Sequence, residues 1–142
     1  MRFLLDTNTV SELLRPQADR GVLSRYQQGW AQCAVPTPVL HEILYGTARM
    51  ADRQRARALE ARYERLIDGS GHLLLPYDSE AARWHAVERA RLGRAGLTPA
   101  FVDSQIAAIA ATRNLTLVTR NTRDFECFDG LRLDNWFATG NE

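Results

Sequence analysis

The chain has 142 residues, 45% of them hydrophobic and 25% charged, with a formal net charge of +1. This is the composition of one ordinary globular domain, not of a disordered chain or a polycation. All 18 basic residues are arginine, so P-loop proteins, receiver domains and haloacid-dehalogenase-type phosphatases, which each rely on a lysine, do not fit in their standard forms.

The cysteines and the apolar runs indicate where the protein works. Cys33 and Cys127 are widely spaced and lack metal-ligand spacing, which predicts free thiols in a reducing compartment. Residues 1–6 reach an acid after only three apolar residues, too few for the hydrophobic part of a secretion signal. No run approaches the roughly 20 apolar residues of a membrane span. We therefore expect a cytoplasmic protein with no membrane partner.

The chain begins with a predicted strand and a short helix. Residues 2–5 form a brief apolar run bounded by polar residues, which is typical of a buried strand. The segment Thr9-Val10-Ser11-Glu12 matches a capping box, so we predict that Thr9 caps a helix that Pro16 ends.

The middle of the chain alternates between the same two kinds of element. Residues 31–35 predict a second strand, followed by a helix with Thr37 as its N-cap and Pro38 as its first residue. Residues 52–67 form a long helical stretch rich in arginine and glutamate, and residues 72–75 predict another strand.

The last part of the chain repeats this alternation. Residues 79–92 have a helical pattern, and residues 93–96 look like a loop. Thr98-Pro99 predicts the start of a helix that runs to about Arg113. Strands follow at residues 115–119 and 131–133. Strands that alternate with helices predict an α/β fold with a mainly parallel central sheet flanked by helices.

Asp103 is the first candidate functional residue. The predicted helix after Pro99 has an apolar stripe that consists of Val102, Ile106, Ile109 and Ala110. Asp103 lies at the edge of that stripe. A carboxylate drawn partly into the protein costs free energy unless a partner compensates it. The alternative is an acid that is merely stabilised by the helix N-terminal dipole.

Asp6 and Glu42 are weaker candidates when each is taken alone. Asp6 ends the first strand and could simply form a turn with the residues that follow. Glu42 lies one turn into its helix, away from the apolar face, and could be an ordinary solvated glutamate. Gly46, one turn further on the same side, would leave the Glu42 carboxylate sterically open.

Topology brings the three acids together. In a parallel α/β sheet, helix N-termini lie near the carboxyl edge of the strands, which is where such sheets bind ligands. The strand at 115–119 ends in the polar run 119–124, which adds oxygen ligands to the same edge. Clustered carboxylates without histidine or cysteine favour Mg²⁺ or Mn²⁺ over zinc. Such a site can activate a water for attack on a phosphodiester.

Four segments, in this order along the chain, resemble PIN domains of the VapC/FitB toxin type: Leu4-Leu5-Asp6-Thr7-Asn8, Glu42-Ile43-Leu44-Tyr45-Gly46, Asp103 ahead of Ile106-Ala107-Ala108-Ile109-Ala110, and residues 117–125. The similarity covers essentially the whole chain, residues 1–142, as one PIN domain. It implies a Mg²⁺- or Mn²⁺-dependent endoribonuclease toxin that hydrolyses RNA phosphodiester bonds. It also implies a homodimer that is inhibited by a cognate, DNA-binding antitoxin whose tail enters the active-site groove.

The resemblance also suggests roles for individual residues. Asp6 and Asp103 match the principal metal ligands of the family, and Glu42 matches its third acid. Many PIN domains have a fourth acid where this chain has Asn121, which leaves a second metal site open. Asp124, three residues further on, is an acid that could replace it. The expected catalytic set is Asp6, Glu42, Asp103 and Asn121.

Other readings remain open from the sequence. One is a PIN-fold nuclease that processes RNA or cuts DNA without an antitoxin, and another is a catalytically silent PIN-like binding module. His41, His72 and His85 share no ligand spacing, so we expect surface or supporting roles for them. Residues 49–65 carry six arginines, either a solvated, ion-paired helix face or a rim that guides phosphates.

Overall fold

Five short parallel strands form the central sheet of the computed structural model, which describes residues 1–69 and 71–138. The sheet order is β3-β2-β1-β4-β5, so β1 lies in the middle, between β2 and β4. The strands are β1 (Phe3–Leu5), β2 (Cys33–Pro36), β3 (Leu73–Leu75), β4 (Thr116–Val118) and β5 (Arg132–Asp134). All four pairings are parallel, which confirms the predicted α/β class.

Helices connect these strands, as parallel pairing requires. They are α1 (Thr7–Leu13), α2 (Arg20–Gly29), α3 (Thr37–Ala48), α4 (Arg53–Ile67), α5 (Ser79–Arg94) and α6 (Phe101–Thr112). Two 3₁₀ turns, Trp30–Gln32 and Thr122–Asp124, complete the described elements. Within residues 1–69 and 71–138, no helix combines the length and the apolar character needed to cross a bilayer.

The core is centred on the middle of the sheet. Every residue of β1 and β2 is buried, and Leu4 pairs with Ala34 on one side and Leu117 on the other. Strands buried on both faces are typical of parallel sheets covered by helices. The apolar stripe predicted on α6 is confirmed, since Ile106 and Ile109 are almost fully buried. This packing holds the carboxyl ends of β1 and β4 side by side.

The predicted N-cap of the first helix was wrong. Asp6, not Thr9, caps α1: its carboxylate accepts a hydrogen bond from the Thr9 backbone N–H at 2.9 Å. The Thr9 hydroxyl instead donates to the carbonyl of Val118 on β4, at 3.2 Å. Glu12 does not close a capping box either, because it accepts from the backbone N–H of Asp19. The helix therefore begins directly after β1.

Other predicted boundaries also needed correction. Residues 31–32 belong to a 3₁₀ turn, so β2 begins only at Cys33. Thr37 is the first residue of α3 rather than its cap, because the extended Pro36 precedes it. The loop predicted at 93–96 is shorter than expected, because α5 continues through Arg94.

Helix α6 begins at Phe101, two residues after the position predicted from Thr98-Pro99. Ala100, whose ψ is 139°, keeps the chain extended up to that point. Neither Thr98 nor Ala100 caps the helix with a side chain. The later start places Asp103 within the first turn of α6.

Helix α2 was not predicted. Its N-cap is Asp19, whose side chain accepts hydrogen bonds from the backbone N–H groups of Gly21 and Val22. Val22 is the helix's one buried residue, so the chain carries little apolar periodicity there. The predicted helix over 52–67 is confirmed, with Asp52 as its N-cap accepting from the Arg55 backbone N–H.

Candidate active site

Asp6 lies at the carboxyl end of β1 and is 6% exposed. Burial raises the pKa of its carboxyl, and hydrogen bonds from Thr119, Thr9 and Asn8 partly oppose that shift. The capping bond to Thr9 fixes the direction of the side chain. Asp6 is thus a buried acid whose carboxyl is oriented by donors from α1 and from Thr119, which follows β4.

Asp103 lies in the first turn of α6 and is half-buried, as its place on the edge of the apolar stripe predicted. The pKa of this carboxyl is raised to about 6. Burial is the largest cause, followed by the negative charges of Asp124, Glu42 and Asp6. Three other acids oppose the charged form of this carboxyl, and a bound cation would relieve the repulsion between them.

Glu42 projects from α3 and is exposed, as the periodicity indicated. The space beside it is open: a Cβ added at Gly46 would meet nothing within 4 Å. Although Glu42 is solvated, its charge contributes to the raised pKa of Asp103. The structure therefore brings Glu42 to the other acids instead of leaving it as an isolated surface residue.

Asn121 and Asp124 come from the segment that follows β4. Asn121 is the N-cap residue of the 3₁₀ turn Thr122–Asp124, and its backbone N–H donates to the Thr119 hydroxyl at 3.0 Å. Both side chains line the same cavity as Asp6 and Asp103. Among the neighbouring charges, Asp124 has the largest effect on the pKa of Asp103. The chain thus has an amide at position 121, where many PIN domains have an acid, and an acid at position 124 that lines the same cavity.

Thr119 is a site residue that the sequence analysis did not single out. It is fully buried directly after β4. Its side chain bonds to the Asp6 carboxyl and accepts the Asn121 N–H, so it joins the ends of β1 and β4. A buried threonine between a strand and a polar run is the signal that could have identified it.

One open cavity of about 130 Å³ collects these residues. Its lining consists of Asp6, Thr7, Asn8, Glu42, Asp103, Ile106, Asn121, Asp124 and Phe125. In the part of the chain that the structure describes, no three His, Cys, Asp or Glu side chains form a ready-made group able to hold a metal ion. Mg²⁺ keeps several waters and commonly uses only one or two carboxylates. An open cavity lined by four acids is compatible with that mode.

The arginine-rich stretch 49–65 does not line this cavity. Arg53 donates to the carbonyls of Thr47, Ala48 and Met50 at the end of α3, and Arg62 donates to the carbonyl of Leu14. These two arginines brace α4 against neighbouring elements. The role of these two arginines is therefore structural, and they do not form a rim that guides phosphates.

A different pair of arginines flanks the acids. An adjoining groove of about 480 Å³ is lined by Arg15 and Arg120, and it shares Asn8 and Asn121 with the acid cavity. The Arg15 side chain is 66% exposed and pairs with Glu12 at 3.2 Å. The Arg120 guanidinium lies over the Phe137 ring, 4.9 Å from its centroid. Basic groups therefore lie beside the acids, where a phosphate chain could run.

A site of oxygen ligands at the carboxyl edge of a parallel sheet, with arginines beside it, is the arrangement expected of a PIN domain. The family model for the PIN domain matches residues 3–131, and the chain belongs to this family.

Individual relatives agree with the resemblance to VapC and FitB. The chain is 31% identical over 136 residues to a "tRNA(fMet)-specific endonuclease VapC" of Shigella flexneri, covering 96% of this chain and 98% of that protein. It is 29% identical to "Toxin FitB" of Neisseria gonorrhoeae, covering 94% of this chain and 97% of that protein. Among solved structures, FitAcB from Neisseria gonorrhoeae matches with a TM-score of 0.83 and 30% identity, over 94% of this chain and 96% of that one. DNA-bound VapBC from Salmonella typhimurium matches with a TM-score of 0.81 and 28% identity, over 96% and 98%.

Proposed function

We propose that the chain is an endoribonuclease toxin of a toxin–antitoxin pair, and that it hydrolyses RNA phosphodiester bonds with Mg²⁺ or Mn²⁺. The observation that carries the proposal is the convergence of Asp6, Glu42, Asp103 and Asp124 on one open cavity. Relatives that span almost the whole chain are named as ribonucleases or as VapC and FitB toxins, which supports the same activity.

Each acid has a distinct part in this proposal. Asp6 and Asp103 would hold the ion, because they are the buried and the half-buried acid and lose the most solvation when charged. Glu42 is exposed and free to orient the attacking water. The bound ion would lower the pKa of that water and neutralise charge on the leaving oxygen. The hydrogen bonds from Thr9 and Thr119 keep Asp6 aimed at the cavity.

Asn121 and Asp124 complete the site in different ways. An amide oxygen can coordinate a cation but adds no charge. Asp124 supplies the fourth negative charge from one 3₁₀ turn further along. We infer one well-held ion, with any second ion weak or arriving with the RNA phosphate. The arginines of the adjoining groove, Arg15 and Arg120, would hold the phosphate chain as it leaves the acids.

The partners follow from the same comparison. The structures similar to this chain include VapBC and FitAB toxin–antitoxin complexes, some of them bound to DNA. We propose a DNA-binding antitoxin partner whose tail covers the acid cavity, and a homodimer as the form of the toxin.

A cleavage assay tests the proposal. Purified protein should cleave RNA with Mg²⁺ or Mn²⁺, stop with a chelator, and lose activity on Asp103→Asn. Asp68→Asn is the matched control, because Asp68 is exposed at the end of α4 and lies outside the cavity. Full activity in chelator would contradict the metal mechanism. Cleavage of DNA but not RNA would favour a nuclease that works without an antitoxin. A folded and harmless protein would favour a catalytically silent binding module.

A further inference from the structure

A second cavity, of about 200 Å³, lies between α5, α6 and the segment that joins them. Its lining consists of His85, Arg89, Leu92, Gly93, Leu97, Thr98, Pro99, Phe101 and Ser104. None of these residues lines the acid cavity. Both cavities reach the first turn of α6, where Asp103 lines one and Ser104 the other.

His85 gives this cavity an unsatisfied polar group. The residue is 3% exposed, and its Nε2 is the one buried side-chain nitrogen or oxygen within residues 1–69 and 71–138 that has no hydrogen-bond partner. Its Nδ1 lies 2.8 Å from the Tyr77 hydroxyl. When that hydroxyl donates to Nδ1, the imidazole proton lies on Nε2, which becomes a donor. A buried donor without an acceptor costs about 1–3 kcal/mol, so an orphan of this kind requires an explanation.

Phe101 and Arg89 supply two further groups that a ligand in this cavity would contact. Phe101 is 52% exposed, and its ring lies 4.9 Å from the imidazole, centroid to centroid. The Arg89 guanidinium lies 5.5 Å from the Phe101 centroid, and it comes from α5 one turn after His85. Burial and the Arg89 charge lower the pKa of His85, which keeps the ring neutral and a single donor at pH 7. The cavity thus combines an exposed aromatic face with two donors.

We propose that this cavity binds one unpaired base of the RNA substrate, and that it prefers guanine. An unpaired base is recognised by stacking on an aromatic ring and by hydrogen bonds to its exposed edge. Guanine presents O6 and N7, two acceptors, which match the donors His85 Nε2 and Arg89. Nε2 is buried in the structure, so the proposal requires the Phe101 ring, which lies against the imidazole, to move before it stacks on the base. The proposal rests on the proposed ribonuclease function, because the base would belong to an RNA whose phosphate meets the ion at Asp103.

The size of the cavity supports this occupant. About 200 Å³ is below the roughly 300–1,000 Å³ of sites for drug-sized ligands, and suits one ring system better than a whole nucleotide chain. The competing occupants are an ordered water and a side chain from a second copy of the chain. Each of them predicts a different outcome of the experiment below.

The test is a titration of full-length protein, followed by the imidazole NMR signals. The probes are guanosine 5′-monophosphate, cytidine 5′-monophosphate and ribose 5-phosphate. Guanosine monophosphate should shift the His85 signal, cytidine monophosphate less, and ribose 5-phosphate not at all. Phe101→Ala should weaken that binding by roughly tenfold through lost stacking, and Phe101→Tyr should restore it. Val87→Ala is the matched control, since Val87 is an exposed apolar residue of α5 that does not line the cavity.

The same variants are then compared on a randomised pool of RNA oligonucleotides. Wild type should favour guanosine at a fixed distance from the cut, and Phe101→Ala should lose that preference while the cut itself remains metal-dependent. A His85 signal that no nucleotide moves overturns the proposal. If the oligomeric state of Phe101→Ala is then unchanged, the occupant is a water. If the oligomeric state has changed, the occupant is a side chain from a second copy. A shifted His85 signal without any RNA cleavage would contradict the nuclease function alone.

Discussion

The Asp6 carboxylate accepts a hydrogen bond from the Thr9 backbone N–H at 2.9 Å while it lines the acid cavity. One side chain therefore both caps α1 and contributes charge to the candidate active site. Because β1 is buried and α1 follows it without a loop, the carboxylate has little freedom to turn away. This double role separates two substitutions that would otherwise look alike.

Asp6→Asn and Asp6→Ala should therefore have different effects. Asparagine caps a helix about as well as aspartate and removes a charge that is buried among other acids, so metal-free stability should be unchanged or slightly higher. Alanine removes the cap as well and should cost about 1 kcal/mol. Both variants should lose RNA cleavage. Urea denaturation and a cleavage assay measure the two effects. Unfolding of Asp6→Asn would show that the charge itself is structural.

The raised pKa of Asp103, about 6, makes metal-free stability depend on pH. Between the ordinary value near 3.8 and about 6, the folded protein holds a proton that the unfolded chain has released. Stability should therefore fall as pH rises through that window. Asp103→Asn should flatten the fall, and Asp68→Asn should not. Urea midpoints at several pH values, with chelator present, measure this. An equally steep fall in Asp103→Asn would contradict the assignment.

The fourth acid can be located by metal titration. Asp124 contributes charge to the cavity and Asn121 does not, so Asp124→Asn should raise the Mg²⁺ concentration for half-maximal cleavage. Asn121→Asp should lower it, and Asn121→Ala should reduce activity less than Asp6→Asn. If Asp124→Asn is as inactive as Asp103→Asn while Asn121→Asp changes nothing, Asp124 has taken over the family's fourth position.

Thr119 should act as a positioning residue. Thr119→Val keeps the shape but removes the hydroxyl that bonds to Asp6 and accepts from Asn121. We expect a loss of about 1–2 kcal/mol in stability and a higher metal requirement, because the buried Asp6 carboxyl loses a hydrogen bond and the Asn121 N–H loses its acceptor. Thr116→Val, on β4 and outside the cavity, is the control. A metal requirement equal to that of wild type would contradict the positioning role.

The groove beside the acids should bind phosphate through Arg120. Arg120→Ala should weaken RNA binding at low salt and reduce the slope of log affinity against log salt by roughly 0.7, the share of one phosphate contact on a single strand. Arg94→Ala removes an exposed arginine of α5 that does not line the groove, and should leave the slope unchanged. Filter binding with the inactive Asp6→Asn protein at several salt concentrations measures both. Identical slopes would place the RNA elsewhere.

Local patterns in the sequence predicted the α/β class, all five strands to within about two residues, and the place of Asp103. They could do so because each depends on short-range spacing: the apolar stripe of α6 by itself sets how far Asp103 is drawn into the protein. The motifs carrying the resemblance to PIN domains also lie in short contiguous segments, and the family match confirmed them.

Only the tertiary structure decided which local signals prevail and what lies beside what. Thr9 matches a capping box, yet its hydroxyl bonds to Val118, 109 positions away, and Asp6 takes the cap. The pairing of β1 with β4 brings Thr119 and the turn containing Asp124 to Asp6. Strand order depends on the packing of the whole chain, so no local pattern contains it. Helix α2 escaped prediction for the same reason, since a helix that buries only Val22 is specified more by its cap and contacts than by its own periodicity.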